Sequence, residues 1–247
     1  MLRSAVVRVL GLLCLASSAP LLAGCDRGDR VQLALQARSG KPTAEVMEKA
    51  REIIDRRMGD LGSPGAAVTR QGSERIVVTL RGLEDVEQVK ALINRSARLE
   101  FRLLNGFADP QQIRAGRAPI GTEILAMAGR PEDRIPVLRR PIVTGAMITD
   151  AQAGFDPAGQ PAVLVTLDAT GTRRFAEATR HNVGRVMAVV VDGTVVSAPM
   201  IQEPILGGQV QIAGTFTKEE VNRLAIALRS GPLPIDLAVV EERVLAR

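Results

Sequence analysis

Tryptophan and tyrosine are absent from these 247 residues, and the five phenylalanines are scattered at Phe101, Phe107, Phe155, Phe175 and Phe216. Sugar sites, grooves for single-stranded nucleic acid and cages for quaternary cations lean on aromatic faces. The composition therefore argues against such ligands, and surfaces of Leu, Val, Ile, Ala and Met suit adaptable apolar contacts instead. Histidine occurs once, as His181, and lysine only at Lys41, Lys49, Lys90 and Lys218. One imidazole without a partner is thin material for a zinc site or a Ser-His-Asp triad. A serine–lysine pair stays open, although no lysine shares a recognisable motif with serine. His181 reads as a helix-end residue near free carbonyls. The adjacent carboxylates Glu219-Glu220 and Glu241-Glu242 point apart on a helix or strand, which makes them solvated faces before acid–base dyads.

Cysteine is limited to Cys14 and Cys25. Arg3 and Arg8 precede an apolar stretch from Val9 to Leu15 and Leu21-Leu22, interrupted by Ser17, Ser18 and Pro20. A charged start, an apolar middle and small residues before a cut site describe a secretory leader. The run Leu22-Ala23-Gly24-Cys25 resembles the lipobox of bacterial lipoproteins, which implies cleavage before Cys25 and acylation of that cysteine. The competing reading is an uncleaved membrane helix over residues 6–24, roughly long enough to span a bilayer but weakened by those two serines and the proline. Asp26 resembles the signal that retains lipoproteins in the inner membrane of enteric bacteria. With Cys14 gone and Cys25 acylated, the exported part has no disulfide and no thiolate metal site, so no cofactor is expected.

Loss of residues 1–24 leaves 223 of the 247, enough for one or two cored domains. Arg3 and Arg8 account for two of the net +5, which leaves about +3. The positive charges are spread, the densest run being Arg134 to Arg140, and this reads as solubility without nucleic-acid binding. No second apolar run approaches membrane length.

Residues 31–37 alternate as a strand. Thr43 then caps a helix whose stripe is Val46, Met47, Ala50, Ile53, Ile54 and Met58. Strands over 66–69 and 75–80, a helix marked by Val86, Val89, Leu92 and Ile93, and a strand over 99–104 follow. This order is the ferredoxin-like βαββαβ pattern, predicted to close within 25–104 as a base region. Residues 105–141 have weak periodicity and read as a long connection with one short helix around Thr122 to Ala128. Residues 142–247 read as a second α+β lobe. It holds a strand at 162–167, a helix from Asp168 to Arg180 and a fully apolar strand at 186–191. A hairpin turn at Asp192-Gly193 leads to the strand 194–198. Gly207-Gly208 and Gly214 mark turns around a strand at 209–213. Thr217 and Glu220 form a capping box, Gly231 ends that helix, and a last strand follows at 235–240. The fold class is thus α+β with two lobes.

An ordered series runs through this second lobe. It comprises Val143-Thr144-Gly145, Ala151, Val165-Thr166-Leu167-Asp168, Gly171, Phe175, Thr179, Gly184 and Ala188. Asp192-Gly193, Ser197-Ala198-Pro199, Ile201, Ile212-Ala213-Gly214, Phe216-Thr217 and the run from Leu228 to Pro234 complete it, with Ile76 to Leu80, Gly82 and Leu99 to Arg102 ahead of it. The series resembles the first periplasmic domain of the SecD family, which assists protein export through the Sec translocon. The resemblance implies a ferredoxin-like base and a head that grips emerging unfolded chains. It also implies that Ser197, Ala198, Pro199, Met200 and Ile201 belong to the partner-binding region. The family's glycine-rich first strand is poorly matched at Val31 to Gly40. SecD continues into proton-coupled membrane helices, whereas this sequence ends at Arg247, so the expectation is a domain without the motor.

The expected protein is a non-enzymatic, lipid-anchored module on the periplasmic face of a bacterial membrane. It binds polypeptide substrate, the Sec translocase or another envelope protein. One alternative is an assembly module without substrate contact; another is a hydrolase using Ser197 or His181.

Overall fold

A computed structural model describes residues 30–63, 65–81, 86–93 and 95–245. The expected leader at 1–24, the acylated Cys25, Asp26 and Gly82 lie outside the described residues. The elements run in chain order β1 (Arg30–Ala37), α1 (Ala44–Leu61), β2 (Ala67–Gln71), β3 (Arg75–Arg81), α2 (Val86–Ile93) and β4 (Leu99–Leu103). They continue with α3 (Pro110–Arg114), β5 (Thr122–Met127), β6 (Arg130–Leu138), β7 (Val143–Thr144), β8 (Ile148–Phe155), β9 (Pro161–Leu167) and α4 (Ala169–His181). The last are β10 (Met187–Val191), β11 (Thr194–Ser197), β12 (Gln209–Ala213), α5 (Lys218–Ser230) and β13 (Leu237–Leu245).

Local chemistry sets the helix limits. Thr43 accepts a hydrogen bond from the Val46 amide at the start of α1, and Gly62 ends it in the left-handed region at φ 72°. Met47, Ala50, Ile53, Ile54 and Met58 are buried along one stripe. Asp168 caps α4 through Gly171 N. In α5, Thr217 and Glu220 exchange side-chain-to-backbone bonds as a reciprocal capping box.

The base sheet has the order β13-β1-β3-β2, with every neighbouring pair antiparallel. Strands β1 and β2 are therefore parallel to each other and split by β3, and β3 and β13 are parallel and split by β1. That is the ferredoxin-like arrangement. It is closed, however, by residues 237–245, which corrects the expectation of closure within 25–104. Strand β4 leaves the base and pairs with β10 and β7 in a six-stranded sheet ordered β6-β5-β11-β10-β4-β7. A third sheet, β12-β9-β8, carries α5 on one face. Residues 122–128 do not form the expected short helix: Thr122–Met127 is a strand paired antiparallel with β6.

Strand β10 explains its own composition. Met187, Val189 and Val191 face the main core, while Ala188 and Val190 join a smaller cluster with Leu125, Val137 and Val195 on the opposite face. A strand buried on both sides is apolar throughout. The main core runs without a break from α1 and the base sheet to β4, β10, α4 and α5. Helix α5 touches α1 as well as β8 and β9, and it accordingly buries more than one face, from Val221 to Ser230.

Where α1, α2 and α5 converge, the side chain of Arg57 is fully buried. Its Nε donates to Ser230 Oγ at 3.1 Å, Nη1 to Leu92 O at 2.9 Å and Arg95 O at 2.6 Å, and Nη2 to Gly231 O at 3.1 Å. The guanidinium thus satisfies carbonyls left free at the ends of two helices. Burial pushes its pKa down to about 10, opposed by the charge of Asp192.

Candidate functional site

A groove of about 400 Å³ opens between α4 and the third sheet. Its floor is Phe101 from β4, Met187 and Val189 from β10, and Phe175 and Thr179 from α4. The rings of Phe101 and Phe175 meet edge to face at 5.1 Å and 71°, a geometry that fixes both faces of the floor. One wall is the irregular segment from Pro199 to Ile205; the other is Gln209, Val210 and Gln211 on β12.

The first wall is held by backbone bonds. Met187 N donates to Pro199 O at 2.9 Å, Ile201 N to Arg185 O at 2.8 Å, and Gly184 N to Ile201 O at 2.8 Å. Farther on, Ile205 N donates to Thr179 Oγ1 at 3.0 Å. The Thr179 hydroxyl in turn donates back to Phe175 O at 2.9 Å. Thr179, a fully buried helix residue, is thus the tie between α4 and the wall.

The second wall is a sheet edge. Strand β12 pairs with β9 on one side only, in the register Gln209↔Thr166 to Ala213↔Ala162. Among the described residues the backbone of 209–213 makes no other hydrogen bond. An edge strand with its outer N–H and C=O groups unpaired is a template for another strand.

Of the residues expected to meet a partner, the structure brings Pro199, Met200 and Ile201 to the groove and leaves Ser197 and Ala198 outside its lining. Met200 is 59% exposed and Ile201 is buried. Ser197 ends β11 opposite Val189, and Ala198 packs against the smaller cluster. Gln209, Gln211 and Thr179 were not expected as site residues. The turn residues have distinct jobs. Asp192 and Gly193 both adopt positive φ between β10 and β11, and Asp192 Oδ1 accepts from Ser96 Oγ at 2.5 Å and Arg98 N at 2.9 Å. Gly207 and Gly208 join the two walls; a Cβ on Gly208 would overlap Thr172 Oγ1. A Cβ on Gly214 would come 2.9 Å from Val196 O, so only glycine allows that approach. Gly231 ends α5 with its N–H on Leu228 O.

The ionisable groups singled out in the sequence make local contacts. His181 Nδ1 donates to Glu177 O at 2.9 Å in the last turn of α4. Among the described residues no hydrogen bond joins Ser197 to His181 or to a lysine, and no group of three or more His, Cys, Asp or Glu is placed to hold a metal ion. Glu241 meets Arg75 and Arg243, whereas Glu242 pairs with Lys90 at 2.6 Å. Glu219 is held below the usual carboxylate range by its own backbone amide and by the Thr217 side chain, at the start of α5. Within the groove the one titratable side chain is Glu203.

A two-lobed α+β domain with an open apolar groove beside a free strand edge is the class defined by this architecture. Residues 47–114 match the N-terminal P1 domain of the protein translocase subunit SecDF, and residues 122–235 match the SecDF P1 head subdomain. The protein translocase subunit SecD of Magnetococcus marinus is 37% identical over 206 residues, covering 81% of this chain and 39% of its own length. SecDF of Thermus thermophilus is 36% identical over 235 residues, covering 90% of this chain and 31% of the relative. A solved structure described as a membrane component SecDF that enhances protein export superimposes with a TM-score of 0.69 at 36% identity, covering 87% of this chain and all of that one. SecDF in a super-membrane-facing form gives 0.71 at 33% identity, covering 88% of this chain and 30% of that one. The chain belongs to the SecD/SecDF family and corresponds to its P1 domain. It spans about two fifths or less of the length of these curated relatives.

Proposed function

We propose that the groove binds extended segments of unfolded polypeptide by strand addition to β12, in the service of protein export. The observation that carries this reading is the unpaired outer edge of β12, lying along an apolar groove of about 400 Å³. Backbone hydrogen bonds to an edge give affinity without demanding a sequence, and alternate side chains of the guest enter the apolar floor. The floor offers Phe, Met and Val surfaces with no catalytic constellation, which suits binding without turnover. The solved relative that enhances protein export supports the same reading. Acylation at Cys25 would hold the domain at the periplasmic face of the membrane; two or more acyl chains anchor far more firmly than one.

A photoreactive residue at Met200, introduced in cells during active export, tests the groove. Cross-links to secreted polypeptides are expected, and N-methylation of alternate amides in a model peptide should abolish binding in vitro. Cross-links confined to envelope proteins, insensitive to export load, would instead identify an assembly module. Mass spectrometry of the mature amino terminus tests the acylation separately.

A further inference from the structure

Among the described residues the most exposed large apolar side chains are Ile120, fully in solvent, and Phe107, 95% exposed. They lie on one loop, residues 106–121, whose ends are pinned together. Asn105 Nδ2 donates to Thr122 Oγ1 at 2.8 Å, Asn105 N to Pro136 O at 2.8 Å, and Arg139 N to Gly121 O at 2.9 Å. Phe107 N is held by Asn105 Oδ1 at 3.1 Å, and Thr122 N by Pro119 O at 3.0 Å. Each apolar residue is thus two positions inside the same clamp, and both flank one neck. The loop is built, since Ile113 is buried within it and α3 rests on β6. Compact loops of this length with closed ends carry function often. Between the apolar pair stand Arg114 and Arg117, both exposed and without an ion pair or side-chain hydrogen bond among the described residues. The one acid of the loop, Asp109, is occupied in capping α3 through Gln111 N at 2.8 Å.

We propose that this loop docks on an anionic bilayer surface, with Phe107 and Ile120 entering the acyl boundary and Arg114 and Arg117 at the headgroup phosphates. Apolar side chains beside unpaired cations are the chemistry of interfacial binding. A protein partner would need a concave, acidic counterpart, whereas a bilayer accepts two protruding side chains at any position. The proposal does not rest on acylation of Cys25 or on the polypeptide groove.

The absence of tryptophan supplies the test. Phe107→Trp in the full chain makes a single reporter at the loop, and Phe155→Trp makes a control at another exposed site. With vesicles containing phosphatidylglycerol, the emission of the first variant should move to shorter wavelength and be quenched by lipids brominated in the acyl chain. The control should not change. In the Phe107→Trp background, Arg114→Gln and Arg117→Gln should each weaken the response about five-fold at low salt, and Ile120→Ser should weaken it further. Phosphatidylcholine vesicles should give a much smaller shift. Unchanged emission at position 107 while the chain is bound to vesicles would overturn the proposal, as would equal quenching of the control. A shift that follows protein concentration without vesicles would also overturn it, by identifying a second copy as the occupant.

Discussion

Replacing Arg57 with methionine removes a buried guanidinium but leaves its acceptors in place. Leu92 O in the core, and Arg95 O and Gly231 O at its half-buried margin, would lose their donor, whereas Ser230 Oγ keeps its own bonds to Ile226 O and Ala227 O. One buried carbonyl at about 3 kcal/mol and two half-buried ones at about 1.5 kcal/mol each give a loss of about 6 kcal/mol. Against this, methionine need not be desolvated as a cation. The pKa of Arg57, depressed by burial to about 10, corresponds to about 3 kcal/mol at roughly 1.4 kcal/mol per unit. The expected net loss is about 3 kcal/mol, a large share of a domain's stability. Urea unfolding at pH 7, followed by far-ultraviolet circular dichroism because no tryptophan is present, measures it. Swapping a buried ion pair for apolar residues is often neutral, but there both charges leave together; here the carbonyls remain. A variant within about 1 kcal/mol of the parent, or more stable, would refute the reasoning. The sign with pH follows from the same shift. The folded guanidinium gives up its proton at about 10, below the value in the unfolded chain; above that pH the unfolded chain binds the extra proton, so this group's contribution grows with pH there and is lost as pH drops through the folded value.

Gly208→Ala should cost about 2 kcal/mol, because φ is +71° and the new methyl meets Thr172; Thr172→Ala should recover the overlap but not the backbone strain, as thermal unfolding of the single and double variants will show. Glu219→Gln should flatten the acid limb of stability. The folded carboxyl titrates below its ordinary 4.5, so the parent loses this contribution as pH falls from above that value through the folded pKa, and the variant does not; denaturation midpoints from pH 6 down to pH 3, roughly spanning the carboxylate range, measure the difference.

Helices α1, α4 and α5 were legible because stripe and caps agree, as at Thr43, Asp168 and the Thr217–Glu220 box. Strand β10 was legible because burial on both faces leaves no polar position. The hairpin of β5 and β6 was not. β6 carries Arg130, Glu132, Asp133 and Arg134 and two prolines, with only Val137 buried, so an outer strand leaves no alternating signature. Strand β8 buries only Ala151 and leaves no signature in the sequence for the same reason. Closure of the base was misplaced because alternation at 99–103 announces a strand without naming its partner, and that partner is almost ninety residues away at 187–191. The groove divides likewise. Pro199 to Ile201 carry no chemistry that marks a site, and only the family resemblance points to them. Gln209 and Gln211 were hidden because a strand's position at a sheet edge is a tertiary property. Thr179 was hidden because its bond to Ile205 spans 26 positions.

Arg30 and Leu245 are register partners across β1 and β13. During synthesis, then, the first strand waits with one flank bare until nearly the whole described chain has been made. The contacts that complete the base join residues two hundred or more positions apart, as at Arg30 and Leu245, and contacts of such separation slow folding. The base is begun first and finished last, and until then its unfilled flank is open to any passing strand.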